Sequence, residues 1–163
     1  MYRRIPEMGG NFTGVKNQKL TRLAAVLAAV VMAVVTVTAA ADMALVQPRE
    51  LAAQLAAKGV GPVVFMVGPN VLYRSRHIAG SVFAGPGQSA AGLAMLQAEA
   101  GKLPRDREVV VYCGCCPWSV CPNVKPAVAL LKQMGFTKAK ALYLSTGFKT
   151  DWLDKGYAAE SPR

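Results

Sequence analysis

Histidine is almost absent from this 163-residue chain, acids are few and aromatics make up 7%. The one histidine, His77, limits any Cys–His protease or acyl-transfer pair to that residue, and its setting in Arg-His-Ile-Ala-Gly favours a structural turn instead. Against nine acids stand 19 Lys and Arg, for a formal net charge of +10. Residues 1–41 hold five of those bases and one of the acids, which leaves +6 for the rest. The remaining bases (among them Arg49, Lys58, Arg74, Arg76, Lys102, Lys125, Lys132 and Lys149) are scattered and form no stripe. Nucleic-acid binding is therefore not expected, whereas a mild positive field suits small anions. Internal repeats, low-complexity linkers and charge blocks are missing too, so 42–163 is expected to be one domain with a real core. Cysteine is absent everywhere except one stretch of nine residues.

The N-terminus reads as a targeting segment. Arg3, Arg4, Lys16, Lys19 and Arg22 precede the uncharged run 23–37, and Ala39-Ala-Ala41 offers a small-residue cleavage pattern before Asp42. The reading is a signal peptide over 1–41, with a retained membrane anchor over 20–41 as the alternative, because the run approaches spanning length. No cysteine near Ala41 permits a lipid anchor. Either way the domain 42–163 is expected in the periplasm or an equivalent exported compartment, touching membrane only if the segment is retained, and as a monomer.

Along 42–163, apolar runs alternate with amphipathic stretches. Strands are expected at 44–46, 62–67, 78–83, 108–112 and 139–144. Helices are expected at 48–58, 90–100 (with Leu93, Leu96 and Met95 inward), 123–134 and 148–153. That order implies right-handed crossovers and a mostly parallel sheet with helices on both faces, an α/β three-layer domain.

The cysteines fill Cys113-Gly-Cys-Cys-Pro-Trp-Ser-Val-Cys121, between the apolar run 108–112 and the helix opened by Asn123. In a parallel α/β sheet that junction is the ligand crevice, where loop amides and a helix N-terminus stabilise a thiolate or an arriving anion. Two structural disulfides are the bland reading for an exported chain, but four cysteines in one loop staple nothing distant. Three chemistries remain. One is sulfur-atom transfer through a persulfide. The second is thiol–disulfide exchange, with Cys116 or Cys121 as resolving thiol. The third is a non-enzymatic module that holds Cu(I) or docks a partner. For zinc the spacing is poor: two ligands are adjacent and all four share one loop, unlike paired knuckles. No metal or other cofactor is assigned on this reading. Substrate contacts are expected from Gly114, Cys115, Cys116, Trp118, Asn123 (as N-cap) and Lys125.

The segment Val109-Val-Val-Tyr-Cys113 followed by a helix resembles the active-site loop of rhodanese-like domains. Arg76-His-Ile-Ala-Gly-Ser81 is similar to that family's His-Ile-Pro-Gly-Ala element, and Leu131–Gly135 with Phe136 to its Leu-x-x-x-Gly-Phe helix end. Leu144-Ser-Thr-Gly147 stands at its Gly-Gly turn, and Trp152 with Gly156-Tyr157 matches its ending. The resemblance implies a sulfurtransferase in which Cys113 carries the persulfide, a small anionic sulfur donor and a thiol acceptor. Departures are Met66-Val-Gly68 in place of Asp-Val-Arg, Trp118 five residues after Cys113, and a loop lengthened and stiffened by Pro117 and Pro122.

Overall fold

The computed structural model describes residues 43–162; the targeting reading of 1–41 lies outside them. The first strand, β1 (Leu45–Val46), leads into α1 (Pro48–Ala56), whose proline sits in the first turn, where its missing N–H has no helical partner to lose. Then come β2 (Val63–Met66), α2 (Asn70–Ser75), β3 (His77–Ile78), β4 (Val82–Phe83) and α3 (Ala90–Gly101). The last part holds β5 (Val109–Tyr112), a 3₁₀ turn (Trp118–Val120), α4 (Val124–Gln133) and β6 (Ala139–Leu142). A π-helical turn (Lys149–Leu153) and β7 (Ala159–Glu160) close it.

Five strands form a parallel sheet in the order β1-β6-β5-β2-β4. The expected mostly parallel α/β architecture is the one found. β5 sits in the middle, paired to β2 from Val63↔Val109 to Met66↔Tyr112 and to β6 from Val109↔Ala139. All four of its residues are buried, which is why the sequence shows an unbroken apolar run there and no alternation. Strand geometry sorts them: Val109 and Val111 join the core against α3 and α4, with Leu96, Val128 and Leu131. Val110 and Tyr112 face the second core, with Leu51, Phe148 and Trp152. Continuing that alternation, Cys113 falls on the α3/α4 side.

Three expectations need correction. Met95 is 44% exposed and does not face the core; the buried positions of α3 are Gly92, Leu96 and Ala100. The extended piece expected over 78–83 is two short strands, β3 and β4, separated by a turn at 79–81. β3 leaves the main sheet to pair antiparallel with β7. Helix α2 was not expected, because its six residues include no buried one and so leave no periodic apolar face. Among the described residues no helix is long and apolar enough to cross a membrane.

Candidate functional site: the four-thiol loop

The chain leaves β5 at Cys113, which is 2% exposed, and turns at Gly114, whose φ of +79° is a left-handed conformation that a side chain would disfavour. The turn folds the loop back over the strand end. Trp118 N–H then donates to the Leu144 carbonyl at 2.8 Å, tying the loop to the segment that follows β6. Another glycine makes room from the opposite side. A Cβ on Gly68 would stand 2.2 Å from the Cys113 carbonyl oxygen and 3.1 Å from its Sγ. The Met66-Val-Gly68 departure is thus a packing requirement of this loop, since an arginine at 68 would displace Cys113.

Folding back collects all four sulfurs within 4.8 Å of one another. They are unbonded thiols: Cys113 Sγ lies 2.9 Å from Cys115 Sγ, which lies 3.0 Å from Cys116 Sγ. Cys113 and Cys121 are buried, Cys116 is half-buried and Cys115 exposed. Cys113, Gly114, Cys116, Trp118, Cys121 and Val124 line a small cavity, backed by Leu142 and Leu144. Its free space is about 10 Å³, the room for one water-sized atom.

Asn123 was expected as an N-cap, but its backbone is already helical and its side chain caps nothing. The side chain is 2% exposed and bridges two loops instead. Its Oδ1 accepts from Gln88 N–H at 3.1 Å, which points Nδ2 at the Cys113 sulfur, 3.2 Å away. The cradle of backbone donors expected around Cys113 gathers mainly at Cys121, whose sulfur accepts from the N–H groups of Asn123 and Val124. Cys121 also accepts a hydrogen bond from Cys113, and the two thiols move apart in acidity. That bond, against the cost of burial, holds Cys121 below the ordinary thiol range, while the same bond and then burial push Cys113 up. Burial, and then the Cys115 thiol, raise Cys116 as well.

Of the other residues expected here, Gly114, Cys116 and Trp118 line the cavity, and Trp118 also tilts toward Tyr143 at 6.3 Å. Cys115 is on the outer side, in contact with two thiols. Lys125 is exposed and lines none of the cavity. His77 is buried far along the chain from the thiols: Nδ1 bonds the Tyr73 carbonyl at 2.8 Å and Nε2 faces Glu160 at 3.3 Å, the structural role expected of it. Sequence reading missed Gly68 and the Gln88 amide. Neither could be found locally, because a glycine or a backbone amide does not say which distant strand it will touch.

No protein-family profile matches the chain, and no curated protein matches it. Solved structures do. A Bacillus halodurans protein superimposes with a TM-score of 0.58 at 18% identity, covering 89% of this chain and 85% of its own. The rhodanese-like domain of an Anabaena protein gives 0.53 at 20%, over 72% of this chain and 79% of its own. A single-domain sulfurtransferase of Saccharomyces cerevisiae gives 0.51 at 16%, over 70% and 91%. These likenesses, at such identities, are likenesses of architecture: the chain has the fold of rhodanese-like domains.

Proposed function

We propose that the chain is a sulfurtransferase that carries sulfane sulfur as a persulfide on Cys113. One observation carries the reading: the Cys113 sulfur, at the C-terminal end of the central strand, lines a cavity with room for one further atom. The chemistry needs a thiolate: burial and the bond to Cys121 hold Cys113 as the thiol, so its proton passes to Cys121, whose sulfur already accepts from it. The Cys113 thiolate attacks the sulfane sulfur of a small anionic donor such as thiosulfate. A new S–S bond forms, the donor's S–S bond breaks, and sulfite leaves with the bonding pair. An acceptor thiolate then attacks the outer sulfur, becomes the persulfide and releases Cys113 as thiolate.

Because Cys113 is 2% exposed, the donor meets the exposed Cys115 first. The two sulfurs are 2.9 Å apart, so Cys115 stands in the donor's path to Cys113. The export reading belongs to this proposal, supported by the basic, apolar and small-residue order of 1–41; N-terminal sequencing of the protein from its native host is expected to begin at Asp42.

The test is mass spectrometry of the reduced full-length chain after thiosulfate. One added sulfur on Cys113, released by cyanide as thiocyanate and missing in Cys113→Ser, is expected. An undiminished adduct in Cys113→Ser, or no adduct in the parent, rejects the reading. Thiol–disulfide exchange is a second reading, favoured by four free thiols within 4.8 Å, so that Cys116 or Cys121 needs little movement to resolve Cys113. It is recognised by reversible loss of two thiols in a glutathione redox titration without any thiosulfate.

A further inference from the structure

We propose that the loop is a thiolate site for one soft d¹⁰ cation, Zn(II) or Cu(I), held by Cys113, Cys115, Cys116 and Cys121. The inference does not depend on sulfur transfer. With metal–sulfur bonds of about 2.3 Å, a tetrahedral four-sulfur site has edges of about 3.8 Å. The sulfurs of this loop span 2.9 Å to at most 4.8 Å, so that value lies inside the existing spread and small side-chain shifts reach it. Three of the four thiols, those of Cys113, Cys116 and Cys121, line a cavity of about 10 Å³ with room for a single atom, and Cys115 lies at its outer side, 2.9 Å from the Cys113 sulfur. Soft thiolates without nearby carboxylate or imidazole select thiophilic cations over calcium or magnesium.

The surroundings suit a metal–thiolate centre. Such ligands are held by outer N–H donors that spread the sulfur charge, and here Asn123 Nδ2 serves Cys113 while the Asn123 and Val124 amides serve Cys121. Asn123 is itself fixed by the Gln88 amide, so the donor orientation is set before any ligand arrives. The ten-residue α4 begins at Val124 and presents its positive end to the anionic cluster. Adjacent ligands in one short loop argue against this site as long as the loop is taken as extended. The turn at Gly114 and the bond from Trp118 to Leu144 remove that objection by folding the loop onto itself.

The experiment titrates the reduced full-length chain with Zn²⁺ and, separately under anaerobic conditions, with Cu⁺, each against a chromophoric chelator. One equivalent of at least one cation is expected to bind. In Cys113→Ser and Cys121→Ser the affinity is expected to fall more than about 100-fold, beyond the 10–100-fold typical of an outer-shell change. Loss in all four Cys→Ser variants identifies the four-coordinate Zn(II) form; loss in three identifies three-coordinate Cu(I). Circular dichroism of each variant in chelator checks that the fold persists, and for a variant that fails it, the metal–thiolate absorption of the parent chain is read instead. Failure to bind either cation, or undiminished binding in a folded Cys113→Ser, overturns the site. A persulfide on Cys113 in a chain that binds no cation rejects this inference and leaves the proposed function standing; a bound cation with no persulfide under any metal-free condition does the reverse.

Discussion

Two neighbouring strands of the same sheet end in loops that solve the same geometric problem with different chemistry. After β6, the turn 145–147 is closed by Asp151, whose carboxylate accepts from Thr146 N–H at 2.7 Å and Gly147 N–H at 3.0 Å. Ser145 Oγ also faces that carboxylate at 3.5 Å, so one acid holds the turn together. After β5, the loop 113–121 is organised around sulfur, and its thiols are partnered largely by one another. A thiol is a weak donor and a weak acceptor, so such a cluster costs little to disrupt and is free to exchange its partners for a sulfur atom or a cation. A satisfied turn holds the fold, and an under-satisfied one beside it keeps the chemistry.

That contrast sets the predictions. Cys113→Ser is expected to abolish the cyanide-releasable sulfur altogether, whereas Asp151→Ala leaves it intact; mass spectrometry of both variants after thiosulfate breaks the comparison if they behave alike. Gly68→Ala forces a Cβ to 2.2 Å from the Cys113 carbonyl, so the backbone must move. We expect about 3 kcal/mol of destabilisation by urea unfolding, the upper end for overpacking, together with loss of sulfur loading. In Asn123→Ala the half-buried bond from the Gln88 amide is lost, which is expected to cost about 1.5 kcal/mol, the upper end of a net hydrogen bond; differential scanning calorimetry reads it. Asp151→Ala is expected to cost about 1 kcal/mol in the same measurement, the usual size for a lost turn cap. Smallest is Cys115→Ser: thiosulfate loading of Cys113 slows several-fold by stopped-flow quench, yet reaches the parent end point, because only the access thiol is removed.

The sequence displayed the scaffold of the site more clearly than the site. The run of β5 was readable because a strand buried on both faces needs no polar positions. Cys113 at its end followed directly. Elements that bury little left no trace: α2 has no buried residue, and β7 is two residues long and half exposed. Asn123 was legible as a helix start and illegible as a bridge, because Gln88 is 35 positions away and no local pattern encodes that bond. The closeness of the four sulfurs was illegible for a related reason. Ligand spacing along the chain was read as distance in space, and a loop that doubles back on a left-handed glycine breaks that equivalence.

Composition and periodicity alone settled the parallel α/β architecture, the confinement of all reactive sulfur to one loop, and the strand end from which that loop departs, since these depend on local preference and on which residues shun water. Which thiol is buried, which one receives the helix amides and how near the four sulfurs come were decided only on folding. Those features arise where Gly68, Gln88 and Leu144 converge on the loop from three other segments, and contacts between residues far apart in the chain are fixed by packing as a whole.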